Sequence, residues 1–434
     1  MTLSARIGAW PADHVLAQVP GAALAVGDLA GQGAAVPADA VVLICLDNVL
    51  DLVRVLSALD GAVAGLLLVS TSQTPEVVAE LAALAGAGVV VTDRADLDGV
   101  PAADVIGDRT GDQATGWMMT TSGTTGIPKI VPHTFDSLSR TVRRDPFGAT
   151  PVWGLVYEMT RFAGLQVALQ SLAGGGTLAA APRHAPMPDQ VAFMAQTGVT
   201  HLSATPTLWR RLLMVPGLES LPLKQVTMGG EIADQAVLDA AAARFPKARL
   251  THIYASTEAG VGFAVNDRQA GFPLRYCDEA PGGVGIRITD STLWLRPPGG
   301  RQIRYLGGQA VEVDADGYVA TGDMLEVTND RALFLGRDSG VVNVGGVKVY
   351  PERVERVIAA VPGVGLAQVI SRKNPITGAL LMANVVAEDS ADQAALKVAI
   401  TETCRAELER EAVPARITFV AALEMNAAGK IKRG

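Results

Sequence analysis

Apolar runs of strand length alternate with amphipathic stretches along the first part of the chain. Val41–Cys45, Gly65–Ser70 and Val89–Thr92 are short and almost wholly apolar, whereas Val49–Leu59 and Pro75–Ala85 carry apolar residues at helical spacing. Strand, helix, strand, helix, strand predicts a parallel α/β layer, because parallel strands need a long crossover that a helix usually supplies. A second set follows. Trp117–Thr120 reads as a strand, Ser137–Arg143 starts a helix, and Phe162–Leu172 is a helix ended by Gly174–Gly176. Thr177–Ala180, Leu202–Ala204, Gln225–Met228 and His252–Tyr254 are short apolar strands between helical stretches.

After about Gly283 the pattern changes to short alternating strands, Leu293–Arg296, Val311–Val313 and Ala332–Leu335, separated by glycine-rich turns. This predicts a small β layer. From Val341 the order is strand, a helix beginning near Pro351, strands at Gly365–Ser371 and Leu380–Val386, and a long helix from Asp392 to about Glu411. These elements form an α+β unit with its own apolar faces, so a domain boundary is expected near Asp338–Gly340. The predicted fold class is α/β: a large N-terminal domain over 1–338, with α/β parts at 1–115 and 116–283 and a β layer at 284–338. A mobile α+β C-terminal domain covers 339–434.

Composition narrows the function classes. The 434 residues are 49% hydrophobic and 18% charged, with 36 Lys plus Arg against 44 Asp plus Glu, a net charge of −8. This balance argues against a general nucleic-acid surface and leaves room for a local basic pocket for an anionic small molecule. Cys45, Cys277 and Cys404 show neither metal spacing nor a disulfide framework. No basic segment precedes an apolar stretch at the start, and the most apolar run, around Gly61–Ser70, is far shorter than a bilayer span. The expected location is the cytoplasm.

Five stretches carry candidate chemistry. "MTTSGTTGIPK", Met119 to Lys129, follows an apolar strand and combines two glycines, five hydroxyls and a lysine. Backbone N–H groups freed by glycine turns, together with hydroxyl donors, make an anion cradle, and mostly neutral donors suit a phosphate that must leave after reaction. It is not a Walker A loop, because Gly-x4-Gly-Lys-Ser/Thr is absent. "YASTEAG", Tyr254 to Gly260, sets Thr257 beside Glu258 after a strand, a pattern that also starts helices. "YVATGDM" places Asp323 in a turn; "FLGRDSGVVNVGGVKVYPERVE" carries Arg337 and a Gly-Gly turn; "NAAGKIKRG" ends the chain with Lys430. Singly, each is as well explained by a turn, a helix start or a solvated basic tail.

Taken in order, the five resemble the signatures of the adenylate-forming superfamily, which includes acyl-CoA synthetases, nonribosomal-peptide adenylation domains and luciferases. The resemblance runs from about Val41 to the C-terminus and implies ATP-dependent activation of a carboxylic acid to an acyl-adenylate with release of pyrophosphate. Transfer to the thiol of CoA, or of phosphopantetheine on a separate carrier protein, then follows. It implies that Thr121, Ser122, Gly123, Thr124, Thr125, Gly126 and Lys129 hold the β- and γ-phosphates of ATP. Glu258 is implied as the Mg²⁺ ligand and Thr257 as a neighbour of the α-phosphate and the carboxylate. Gly229, Gly230, Glu231, Tyr254 and Ala255 would flank adenine, Asp323 and Arg337 would hold the ribose, and Lys430 would reach the α-phosphate. Gly345 and Gly346 would line a thiol tunnel, and the hinge would lie at Asp338 and Gly340.

Departures from the pattern shape the expectation. The stretch before the phosphate loop is short, and the common Pro and Thr ahead of the terminal lysine are replaced by Glu424 and Asn426. Where many acyl-activating members carry His, three residues before Gly164, this chain has Arg161. A guanidinium there points to a polar or anionic acid, a dicarboxylate or a hydroxylated acid. Trp153, Tyr157 and Phe162 are the candidate pocket walls. Two other readings stay open: adenylation ending in amide formation or diazotisation with a nitrogen acceptor, and a non-catalytic nucleotide-binding scaffold or sensor.

Overall fold

The apolar strands of the first region are buried on both faces, and their alternation assigns each face to a different partner. In a computed structural model describing residues 2–121, 127–143, 150–298, 305–307, 313–375, 377–388, 391–425 and 430–431, five strands pair in one sheet. Their order is Val89–Thr92, Val41–Cys45, Gly65–Leu68, Gly116–Thr120 and Ile130–Thr134, parallel except for the last. Val42, Ile44, Leu66, Leu68, Trp117 and Met119 face one apolar cluster, while Leu43, Leu67 and Met118 face another formed with Val78 and Leu81 of the helix Pro75–Ala85. Such period-two splitting explains why these strands read as continuous apolar runs. Gly116–Thr120 pairs with Gly65–Leu68, so it closes the first sheet instead of opening the second set.

The second sheet has eight strands. From one edge these are Gly260–Val265, Arg249–Ser256, Gln225–Gly229, His201–Ala204, Val152–Leu155, Thr177–Ala180, Val15–Val19 and Ala22–Ala25. The interior pairings are parallel and only the two edge pairings are antiparallel. The last two strands form an N-terminal hairpin that the hydrophobic pattern does not announce. Helices Val49–Leu59 and Phe162–Leu172 join the two sheets through one shared core. Asn48 caps the first by accepting from Leu50 N and Asp51 N. Each of its buried Leu and Val side chains contributes about 1.5–3 kcal/mol by leaving water.

The start of the chain is pinned. Leu3 N donates to Asp60 Oδ2 at 2.6 Å, and Trp117 Nε1 donates to Asp60 Oδ1 at 2.9 Å. The helix expected from Ser137 is shorter and earlier, Phe135–Ser139, because Thr134 and Ser137 close a reciprocal cap at its start.

A five-stranded sheet follows, ordered Phe272–Pro273, Arg331–Arg337, Val319–Thr328, Thr292–Arg296 and Gly285–Thr289. The strand expected at Val311–Val313 falls largely outside the described residues; Val313 itself bridges to Val319. Beyond Asp338–Gly340, a short 3₁₀ turn, come a hairpin, the helix Pro351–Ala359 and the strands Val364–Asn374, Gly378–Ala387 and Arg416–Phe419. With the helix Gln393–Glu407 these elements share their own apolar cluster. Among the described residues no helix is long and apolar enough to cross a membrane.

Candidate active site

In open parallel sheets, ligands bind outside the carboxyl ends of the strands. Thr257, Glu231, Tyr157 and Phe162 all follow such ends in the eight-stranded sheet, and Thr121 and Lys129 bracket the loop leaving the first sheet. The two edges meet where His133 Nε2 donates to the Thr257 carbonyl at 2.8 Å.

Asp323 and Arg337, fourteen residues apart in sequence, are cross-strand partners. The hairpin Val319–Thr328/Arg331–Arg337 turns at Asn329 (φ 50°), and one irregularity between Met324 and Leu325 sets the register that puts them opposite. Arg337 Nε donates to Asp323 Oδ1 at 3.0 Å, and Arg337 Nη2 donates to the Thr321 carbonyl at 3.2 Å. The other carboxylate oxygen accepts from the Tyr254 hydroxyl. Burial, then the Asp323 carboxylate, holds that phenol well above its ordinary range, so it stays a donor. The Tyr254 ring stacks with Phe263 and Phe334, at centroid distances of 5.3 and 5.5 Å. Asp323 is thus held from two sides within the strand Val319–Thr328, not in the turn expected from sequence, with lone pairs left for a ligand.

Glu258 has a partner the sequence does not reveal. The Tyr305 hydroxyl donates to Glu258 Oε1 at 3.1 Å, and Lys129 Nζ lies 4.5 Å from the Tyr305 ring centroid. Burial and Glu258 push the Tyr305 phenol up to about 12. Leu306 N donates to the Ile130 carbonyl, which fixes this segment beside the loop. The loop itself is closed at its base: Thr121 N donates to the Lys129 carbonyl at 2.9 Å, and Lys129 N donates to Thr121 Oγ1 at 3.2 Å. Ser122, Gly123, Thr124, Thr125 and Gly126 lie outside the described residues.

Lys430 comes to this site from the far end of the chain. Its Cε and Nζ lie 3.5 and 3.7 Å from where a Cβ on Gly230 would stand, and Gly230 adopts a left-handed φ of 81°. Neighbouring Glu231 accepts from Thr207 N at 3.0 Å, adding an anion to the start of the helix Pro206–Leu213 beside its Thr205 cap. Burial lowers the proton affinity of Lys430; Glu231 and Asp323 act against that, and Arg337 and Arg161 add to it. Among the described residues no three His, Cys, Asp or Glu side chains cluster as a metal site. A single carboxylate such as Glu258, close to the hydroxyl-rich loop, still suits Mg²⁺, which takes few protein ligands and fills its sphere with phosphate oxygens and water.

The expected pocket wall is partly redrawn. Tyr157 is buried, and burial holds its proton far above the ordinary range, with Ser203 acting against it. The Phe162 ring lies 6.0 Å from His133. Trp153 is elsewhere: it is the second residue of its strand, pairs with Leu178 and His201 and lies against the His201 ring at 4.7 Å, at the end opposite the site. Its aromatic signal is a core signal.

Arg161 is already engaged. Its Nε donates to Glu158 Oε2 at 2.9 Å, and Glu158, 3% exposed, also accepts from Ser70 Oγ, Thr71 N, Thr71 Oγ1 and Thr160 Oγ1. Arg183 Nη1 lies 3.8 Å from the same carboxylate. Burial opposes its ionisation, but the Ser70 hydroxyl, both guanidiniums and Thr71 N outweigh it, and the carboxyl is held below 4.5. This contribution to stability is complete above the unfolded value and is lost as pH falls through the lower folded one. Glu158→Gln is therefore expected to cost about 2–3 kcal/mol at neutral pH, since the guanidiniums keep some water. Urea unfolding should show that gap narrowing in acid; a gap constant with pH would remove the charge from this account.

Gly345 and Gly346 form the two-residue turn of the hairpin Val342–Val344/Val347–Val349, with φ of 61° and 92°. Gly345 N donates to the Thr377 carbonyl, within the C-terminal elements, and Gly346 N donates to Asn343 Oδ1. Asp338 and Gly340 bound the 3₁₀ turn that leads into this hairpin. Gly229 ends the strand preceding Gly230, and Ala255 pairs with Val261 at the irregularity of its edge strand pair.

Comparison with known proteins adds the family. The profile of the AMP-binding enzyme family matches residues 108–301, and that of the AMP-binding enzyme C-terminal domain matches 353–430. The chain is 29% identical to a fatty acid–[acyl-carrier-protein] ligase, MmaC, of Mycobacterium marinum, over 73% of this chain and 66% of that one. It is 30% identical to 2-succinylbenzoate–CoA ligase of Escherichia coli, over 57% and 53%. The chain thus spans between about half and two thirds of the length of these relatives. Among solved structures it resembles an anthranilate CoA ligase, AuaEII, with bound anthranoyl-AMP: TM-score 0.77, 15% identity, 99% and 95% covered. ATP-bound MatB of Rhodopseudomonas palustris gives a TM-score of 0.75 at 21% identity, with 99% and 97% covered.

Proposed function

The chain belongs to the AMP-binding, adenylate-forming enzymes, and on that premise we propose that it is an ATP-dependent acid–thiol ligase acting on a small carboxylic acid in the cytoplasm. The observation that carries this reading is Lys430 seated against Gly230, near Glu231 and Asp323. A nucleotide sensor has no need of a cation delivered from the opposite terminus to that spot.

In the first step an acid oxygen attacks the α-phosphorus of ATP, the new O–P bond forms, and the bond to pyrophosphate breaks. The acid needs no base, being ionised at neutral pH. Its difficulty is repulsion: at about 4 Å, each like-charged pair costs roughly 4 kcal/mol at an effective dielectric near 20. Lys430 offsets that charge and holds the in-line geometry, Asp323 with Arg337 fixes the ribose, and Lys129 with the hydroxyl loop holds the departing phosphates. Mg²⁺, held by Glu258 when bound, supplies further charge neutralisation.

In the second step a thiol sulfur attacks the acyl carbon and AMP leaves. We assign residues 1–338 and 339–434 to two domains, with a pivot at Asp338 and Gly340 and the Gly345–Gly346 turn lining the thiol path. The acceptor is CoA or the phosphopantetheine of a separate carrier protein. ATP–pyrophosphate exchange against a panel of acids tests the reading; absence of exchange with every acid, despite ATP binding, would overturn it. Glu258→Gln should raise the Mg²⁺ concentration for half-maximal exchange by roughly tenfold or more, as for loss of one charge-assisted ligand. An unchanged titration would take Glu258 off the ligand list.

A further inference from the structure

The Glu158 cluster leaves the two N–H donors of one nitrogen of Arg161 unspent. Arg161 commits Nε to Glu158 and Nη2 to the Ser70 and Ser72 hydroxyls, at 2.9 and 3.1 Å. Among the described residues none of its hydrogen bonds uses Nη1. The planar guanidinium cannot turn without giving up those three bonds, so Nη1 points in a fixed direction. Arg161 follows the carboxyl end of the central strand Val152–Leu155 and immediately precedes Phe162, which meets His133, which in turn holds the Thr257 carbonyl. Its charge also reaches Lys430. An acid presenting its carboxylate to Lys430 and Thr257 therefore lies within this neighbourhood.

Charge then selects the class of acid. Arg161 is matched by Glu158, and Arg183 by Asp47 and Glu158. Two guanidiniums against two carboxylates leave no positive excess to draw in a second carboxylate, which would also face the buried Glu158. An uncharged oxygen needs only the N–H.

We propose that Arg161, fixed by Glu158, is a specificity-determining residue whose Nη1 donates to an uncharged oxygen on the acyl chain, so the substrate is a hydroxy- or keto-substituted monocarboxylic acid. This rests on the adenylation reading of the same site, and Glu158 is a positioning residue within it. The test is pyrophosphate exchange over matched sets of small acids: unsubstituted, hydroxy- or keto-substituted at successive carbons, and dicarboxylic.

The wild type is expected to favour the substituted acid over its plain counterpart by roughly 10–100-fold in kcat/KM, the range of a hydrogen bond from a charged donor. Arg161→Met should bring the two acids together, and Arg161→Lys, which keeps the charge but loses the fork, should also lose the preference. Glu158→Gln should raise KM for the substituted acid more than KM for ATP. Preference for the dicarboxylate or the plain acid, or an equal loss on all acids in both Arg161 variants, overturns the proposal alone. Exchange with none of the acids by the wild type overturns the adenylation reading and this proposal with it.

Discussion

Lys430→Ala is expected to lower ATP–pyrophosphate exchange by roughly 10²–10³-fold, the loss typical of deleting one preorganised charge-stabilising donor, while thioester formation from supplied acyl-adenylate falls far less. The split follows from the position of the lysine: it lies against Gly230, where the attacking carboxylate and the α-phosphate would meet, and the pivot proposed at Asp338 and Gly340 would carry it away before the thiol attacks. Equal losses in both half-reactions would remove Lys430 from the first step. Burial lowers its proton affinity, so the cation is lost with rising pH below the usual 10.5. Activity that needs the cation must then fall on the alkaline side, and kcat/KM for ATP, which reports the free enzyme, should show that limb. Lys430→Arg, whose guanidinium stays charged, should flatten it. A limb that survives the arginine variant belongs to another group.

Asp323→Ala should produce the second large effect, a loss of roughly 10²-fold in kcat/KM for ATP, since a carboxylate accepting from a ribose contributes about 1.5–3 kcal/mol. The variant also strips Tyr254 and Arg337 of their shared acceptor, and a lower melting temperature is expected with it. Fold loss and ribose loss are separated by the nucleotide. The wild type should strongly prefer ATP to 2′,3′-dideoxy-ATP, and the variant should treat them nearly alike. A preference that persists in the variant would show that the ribose is held by something else.

Local signals were legible wherever a segment's own residues decide its state. The helices Val49–Leu59, Pro75–Ala85 and Phe162–Leu172 match their apolar spacing, and Asn48 and Thr74 cap the first two as polar residues at those places should. The N-terminal hairpin was not legible, because Val15–Val19 is short and takes its register from a strand far along the chain, Ala17 opposite Leu178. The strand at Arg331–Arg337 was seen only in its apolar middle, since its ends are specified by the hairpin partner.

The same division holds at the site. Asp323 and Arg337 stand out in sequence as charged residues beside glycines (Gly322, Gly336), but both lie within strands, and their pairing follows from hairpin register. Tyr305 and His133 escaped notice because their partners, Glu258 and Thr257, are 47 and 124 residues away and no periodicity encodes such meetings. A histidine, His133, on the strand leaving the hydroxyl-rich loop was the hint available. Arg161 was visible as a departure, but Glu158, three residues earlier, changes what it means: an arginine whose charge is already matched selects for hydrogen bonding more than for charge.

The hairpin at the beginning of the chain has a bearing on how this protein can be shortened. Residues 15–25 shield the backbone of Thr177–Ala180, and Leu3 N answers the Asp60 carboxylate that also steadies Trp117. A form starting at Val26 would bare a row of unmet amides on a flat, apolar β border, an invitation to stick to copies of itself. Precipitation during expression, rather than a soluble but idle enzyme, is the failure such trimming should bring.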